Sequence, residues 1–182
     1  MVGRAAPTGA TALRHHPPRS DLVSGNATDP STLEFHDIES NADFPGWAPR
    51  DAVVRFFHET MKPYNDEIPD VERALDYALV EGRGQGGFVT LAHRGEQLLG
   101  ALCMLNTGMS GYIPEHILLF VTVSPDARGE GIGGQLIEYC LDRCEGDVKL
   151  HVEYDNPAKR LYERLGFESK YAEMRWTRGD RA

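Results

Sequence analysis

No stretch of the 182 residues approaches the roughly 20 consecutive apolar residues of a membrane-spanning helix. The first 30 residues also lack the apolar centre of a signal peptide, so no membrane partner is expected and the cytoplasm is the expected compartment. Cysteine is scarce: three residues, an odd number, fit no disulfide framework and suit a reducing compartment. Cys140 and Cys144 stand one helical turn apart, but no Cys/His pair follows at ligand spacing. They read as small core residues, and no metal is expected. Positive charge is short as well. Nineteen Lys and Arg against 28 Asp and Glu leave a net charge of −9, which argues against a nucleic-acid partner. It favours cationic partners such as amines, although a solvated acidic surface is the commoner reason for such a charge.

Apolar residues are plentiful enough, at 41%, for one domain with a proper core. Residues 1–32 are rich in Ala, Gly, Pro, Ser and Thr and read as a disordered tail. The folded domain is expected over 33–178. An alternating segment over 33–38 predicts a strand. Val53, Val54, Phe56, Phe57 and Met61 mark a first helix. Val71, Ala74, Leu75, Ala78 and Leu79 mark a second at helical spacing, ended by Gly82 and the glycines over 84–87. Residues 88–92 and 97–105 predict a hairpin about Arg94-Gly95-Glu96.

A loop over 106–115 leads to a near-continuous apolar run over 116–123, a central strand covered on both faces. A third helix is predicted over 132–144 and a strand over 148–152. A short helix capped by Asp155 or Asn156 carries Ala158, Leu161, Tyr162 and Leu165 and stops at Gly166. A last strand is expected over 167–176. The order is β-α-α-β-β-β-α-β-α-β.

Between the central strand and the third helix lies Ser124-Pro-Asp-Ala-Arg128-Gly-Glu-Gly131-Ile-Gly-Gly134. Glycine lets the backbone approach a ligand, and the helix start presents unpaired N–H groups with partial positive charge. The turn is an anion cradle suited to a pyrophosphate. Gly129-x-Gly131-x-x-Gly134 also matches the dinucleotide fingerprint, but five residues separate it from its strand and fewer than 50 follow it. A phosphate loop of the Gly-Lys-Ser/Thr kind is excluded, because Gln135 follows Gly134. A turn that holds no ligand stays open.

The residues from Val123 to Gly133 resemble the Arg/Gln-x-x-Gly-x-Gly/Ala signature of the GCN5-related N-acetyltransferases (GNAT). A second block, Asn156-Pro-Ala-Lys-Arg-Leu-Tyr162-Glu-Arg-Leu-Gly166-Phe167, resembles that family's Asn…Leu-Tyr-Glu-x-x-Gly-Phe segment, in the expected order. The resemblance covers about 115–176. The family's asparagine stands seven residues before its tyrosine. Here Asn156 stands six before Tyr162 and Asp155 takes the seventh place. Either side chain could meet the cofactor.

The resemblance implies an α/β fold with a mixed, mostly antiparallel sheet of six to seven strands flanked by about four helices. It implies acetyl-CoA as co-substrate and an amine as acceptor. The backbone of Val121, Thr122 and Val123 would pair with the pantetheine arm. The amides of Gly129, Glu130, Gly131, Ile132, Gly133 and Gly134 would hold the pyrophosphate, with Arg128 beside them. Asn156 and Tyr162 would complete the cofactor site, and Tyr162 would protonate the departing thiolate. Glu115, at the strand start on the alternating face of Ile117, Leu119 and Val121, and His151, before Val152, are the two candidate bases. His116 faces the other way from Glu115.

The acceptor site is expected between the two early helices, the 106–115 loop and the chain end. Asp66, Glu67, Asp70, Glu72 and Glu115 make that region acidic, which points to a small cationic amine, with a peptide or protein amine as the broader class. An acyl-CoA-binding regulatory module without turnover is the alternative. Acetylation of aminoacyl-tRNA, which the family includes, is disfavoured by the net charge. A homodimer is left open.

Overall fold

The computed structural model describes residues 31–80 and 85–178. The expected N-terminal tail, apart from its last two residues, and Gly82 lie outside the described residues. In chain order the elements are β1 (Glu34–Ile38), α1 (Arg50–Thr60), α2 (Ile68–Ala78), β2 (Gly87–Arg94), β3 (Gln97–Asn106), β4 (His116–Val123), α3 (Ile132–Arg143), β5 (Val148–Leu150) and α4 (Lys159–Arg164). The five strands form one sheet in the order β1-β2-β3-β4-β5. β1 to β4 run antiparallel, and β5 joins β4 in parallel. No helix among the described residues is long and apolar enough to cross a membrane.

Each face of the sheet buries its own apolar cluster. Val53, Val54 and Phe57 of α1 and Val71, Ala74, Leu75 and Ala78 of α2 cover one face, meeting Val89, Leu91, Ala101, Cys103 and Phe120. The helical spacing of those residues puts them on single stripes, so burial of the stripe holds each helix to the sheet. Arg50 ties α1 to α2 through Asp76 at 2.6 Å. On the other face, Ile132, Leu136, Ile137 and Cys140 of α3 and Tyr162 of α4 meet Ala92, Leu102, Met104 and Leu118. A polar anchor fastens α3 to the first strands: Asp37 accepts hydrogen bonds from Thr90 Oγ1 at 2.7 Å and Tyr139 OH at 2.8 Å, and pairs with Arg143 at 2.6 Å.

Two expectations change. The segment over 167–176 forms no strand, so the sheet has five strands among the described residues instead of six or seven. The alternation there has no neighbouring ladder to complete it, since β5 is three residues long. Tyr171, Met174 and Trp176 stand exposed instead. The second change is a bulge in β4. Cys103 faces Phe120 and Met104 faces Leu118, which leaves Leu119 as an extra residue. Leu119 and Phe120 therefore pack toward the α1/α2 cluster, while Leu118, Val121 and Val123 pack toward the α3/α4 cluster.

Candidate active site

β5 ends at Leu150 while β4 runs on to Val123, which leaves a wedge beside the last residues of β4 with no partner strand among the described residues. The β4–β5 ladder ends at Leu118↔Leu150. Beyond it, Ser124 N–H donates to Leu99 O at 2.8 Å, continuing a β3–β4 register in which Ala101 faces Thr122 and Leu102 faces Val121. Antiparallel pairing alternates, so Thr122 directs its backbone groups to β3 and Val121 and Val123 direct theirs to the open side. That edge has the form that accepts an extended chain as an added strand.

The open edge runs into the glycine turn. A short 3-10 turn, Pro125–Ala127, buries Ala127 and leads to Gly131, the N-cap of α3. Gly131 has φ 80°, a left-handed conformation that Cβ disfavours. No side chain caps α3, so the N–H groups of its first turn are left for another acceptor. Their dipole favours an anion.

α4 brings Tyr162 to the same place. Cβ atoms added at Gly133 and Gly134 would lie 3.6 and 3.7 Å from the Leu161 methyls, so α4 seats directly on the start of α3. The end of α4 is a Schellman cap: Phe167 N–H donates to Tyr162 O at 3.0 Å and Gly166 N–H to Glu163 O at 3.2 Å. Gly166 reaches it at φ 91°. The reversal lays the Phe167 ring edge-on to Tyr162, with centroids 5.9 Å apart. The second sequence block is thus a device that fixes one side chain. Tyr162 is 8% exposed, and burial pushes its hydroxyl pKa up to about 12. The hydroxyl has no hydrogen-bond partner among the described residues.

The remaining residues expected at the site divide. Arg128 turns away from the α3 amides. Its Nη2 donates to Thr60 O at 2.7 Å and its Nε to Val123 O at 3.3 Å, tying the end of α1 to the glycine turn. Thr122 Oγ1 donates to Thr60 Oγ1 at 2.8 Å, which fastens the same joint. Asn156 Oδ1 accepts from Ala158 N–H at 2.9 Å, so it shapes the entry to α4, whose N-cap is Ala158, neither Asp155 nor Asn156.

Glu115 is engaged elsewhere. Its carboxylate accepts from Asp147 N–H at 2.8 Å and Gly111 N–H at 3.3 Å, and these bonds hold its pKa below the usual glutamate value. The bulge also separates its face from that of Val121. Six residues of strand put it on the order of 20 Å from Val121 along β4. His151 follows the last β5 residue, at the mouth of the wedge, and is exposed. His116, by contrast, joins Asn106 Oδ1 at 3.0 Å and Glu145 O at 3.1 Å.

In the acidic region, Asp70 pairs with Arg73 at 2.6 Å. Tyr64, between α1 and α2, has its pKa raised, first by burial and then by the negative charges of Asp155 and Glu153. Two participants carry no signal in the sequence: Thr60, and Arg94, which pairs with Glu130 of the glycine turn at 2.8 Å. Both act across dozens of residues, and no local pattern signals such contacts. No group of side chains suited to a metal ion occurs among the described residues.

Residues 85–169, just under half of the chain, match the family model described as "Acetyltransferase (GNAT) domain". In sequence it is similar to a mycothiol acetyltransferase of Rhodococcus opacus, 41% identical over 63 residues, 32% of this chain and 21% of that protein. A mycothiol acetyltransferase of Brachybacterium faecium is 29% identical over 153 residues, 81% of this chain and 44% of that protein. The chain therefore spans less than half the length of either relative. In fold it is similar to an aminoglycoside acetyltransferase from an uncultured soil metagenomic sample in complex with sisomicin: TM-score 0.58, 18% identity, 81% of this chain and 97% of that one. It is also similar to an Arabidopsis thaliana protein in complex with the bisubstrate analogue CoA-Ac-MVNAL: TM-score 0.54, 18% identity, 76% of this chain and 85% of that one.

Proposed function

We propose that the chain moves an acetyl group from acetyl-CoA to a primary amine by direct attack on the thioester. The observation that carries this reading is the convergence of three features at one wedge. The outward-facing backbone of Val121 and the N–H of Val123, which no partner strand covers, suit the amide-bearing pantetheine arm. The uncapped start of α3, from Gly131 to Gly134, suits the pyrophosphate. Tyr162, whose hydroxyl has no partner among the described residues, follows Leu161, which packs on that same helix start.

The acceptor must lose a proton first. An alkyl ammonium near pKa 10.4 is about 0.04% neutral at pH 7, a cost of about 4.6 kcal/mol. His151, at the wedge mouth, is the base this reading favours, directly or through water. Glu115 holds its own loop together and is too remote. The neutral amine attacks the thioester carbonyl, and the oxyanion takes a backbone N–H of the open β4 edge. Collapse breaks the C–S bond, Tyr162 gives its proton to the thiolate, and the proton that the acylated nitrogen sheds returns through water to restore the phenol. An ordinary thiol has a pKa near 8.5, so a tyrosine at about 12 is a poor donor in water. Burial moves a thiol in the same direction as a phenol. A thiolate desolvated beside Tyr162 is raised in the same direction as the phenol, which narrows the gap between them relative to a thiolate left in water.

A small cationic amine is the favoured acceptor, because Glu153 and Asp155 follow His151 closely in the chain and both, with exposed side chains, add negative charge there. Thiol release from acetyl-CoA, measured over polyamines, aminoglycosides, lysine peptides and N-terminal peptides, tests the reading. It expects amine-dependent release that Tyr162→Phe depresses. Binding of CoA with no release from any amine would instead make the chain an acyl-CoA-binding module.

A further inference from the structure

Glu130 is a misplaced charge for a turn that receives a diphosphate. It sits between Gly129 and Gly131, both left-handed at φ 88° and 80°, directly before the unpaired amides of α3. Asp126 and Glu130 outnumber Arg128 in this turn, and the Arg128 guanidinium is spent on the carbonyls of Thr60 and Val123. A second strand pair supplies the missing charge. Arg94, the last residue of β2, donates from Nη2 to Glu130 Oε2 at 2.8 Å. Its Nε is buried with no partner, so the guanidinium is held in place by the Glu130 contact despite an unmet donor.

We propose that Arg94 is a positioning residue of the donor site: its ion pair with Glu130 neutralises the one carboxylate of residues 129–134 and draws it aside, so that the turn can take a diphosphate. The inference rests on the acetyl-CoA reading above. The pair is half-exposed, at 32% and 43%, where ion pairs add little to stability. Its effect belongs to binding. Without Arg94, Glu130 swings free on two glycine hinges and repels the incoming phosphates.

Calorimetric titration of CoA into the wild-type chain and into Arg94→Ala, Arg94→Lys and Arg94→Ala/Glu130→Gln tests this. The expected result is a CoA Kd raised about tenfold in Arg94→Ala, the scale of one unscreened like charge near a ligand. Arg94→Lys stays near wild type. The double variant returns to within about threefold of wild type, because removing the carboxylate removes the need for its partner. Salt at about 1 M narrows the gap between Arg94→Ala and wild type. Where turnover is measured, KM for acetyl-CoA rises and kcat does not fall. Equal CoA affinity in Arg94→Ala and wild type overturns the inference. So does a double variant as weak as Arg94→Ala, which would mean a structural role. Failure of the wild-type chain itself to bind CoA would remove the acetyl-CoA reading, a distinct outcome.

Discussion

Phe167 meets Tyr162 edge-on, at 71° between ring planes, because the Schellman cap at Gly166 turns the chain back over α4. The contact joins a helix stop to the side chain proposed to protonate the thiolate. Phe167→Ala should cost about 1 kcal/mol of stability, the scale of one aromatic pair. Gly166→Val should cost about 1–3 kcal/mol, since the left-handed backbone resists a branched Cβ. Both should lower kcat while leaving the CoA Kd near wild type. Urea melts, calorimetry and steady-state rates check this. A loss confined to stability would detach the cap from catalysis.

Tyr162→Phe should retain the fold and CoA affinity and lose about 10²–10⁴ in kcat, the range of a lost general acid. Burial raises the Tyr162 pKa from 10.0 to about 12, so the neutral phenol is favoured in the folded state. Its contribution to stability is fully present below pH 10 and is lost as pH rises toward 12. The variant should therefore lose less stability than wild type over that window. Wild-type kcat should show no basic limb from this group below pH 10. Identical alkaline stability curves for the two chains would contradict the buried placement.

Glu115→Gln should leave the acidic limb of the pH–rate profile where it is. Backbone N–H groups lower the Glu115 pKa, so the folded state favours its anion. That contribution is present above the unfolded value, near 4.5, and fades as pH falls through the lower folded value. Acid titration followed by circular dichroism should find the variant less stable at neutral pH and its deficit shrinking in acid. Disappearance of the acidic limb would restore Glu115 as a base. His151→Ala, by contrast, should remove that limb.

Asp37→Ala should destabilise by about 2–3 kcal/mol, because Thr90, Tyr139 and Arg143 lose their shared acceptor at the β1–α3 joint. The network lies outside the wedge, so KM for acetyl-CoA should hold. A change below about 0.5 kcal/mol, the level of an ordinary surface substitution, would show the network to be dispensable.

Most of the fold was legible because its signals are local. The α2 stripe, the Arg94-Gly95-Glu96 turn and the strand over 116–123 all appear where their patterns place them. The bulge at Leu119 was not legible. Apolar residues on both faces of β4 erase the alternation that a one-residue shift would break. That erasure put Glu115 and Val121 on one face in the sequence and on opposite faces in the fold. The segment over 167–176 failed for the reverse reason: its alternation is visible, but a strand needs a neighbour, and β5 ends after three residues. The glycine turn and Tyr162 could be read as motifs. Their junction through Leu161 and the redirection of Arg128 to Thr60 depend on contacts that only the folded chain makes.

The central claim is that the wedge between β4 and β5, with the start of α3, is the CoA site. Amide-resolved NMR during titration with CoA tests it most directly. Saturable shifts are expected at Val121, Val123 and the amides from Gly129 to Gly134, with Gly111, Glu115 and Asp147 unmoved. Shifts that spare the glycine turn, or that gather around Glu115, would contradict it.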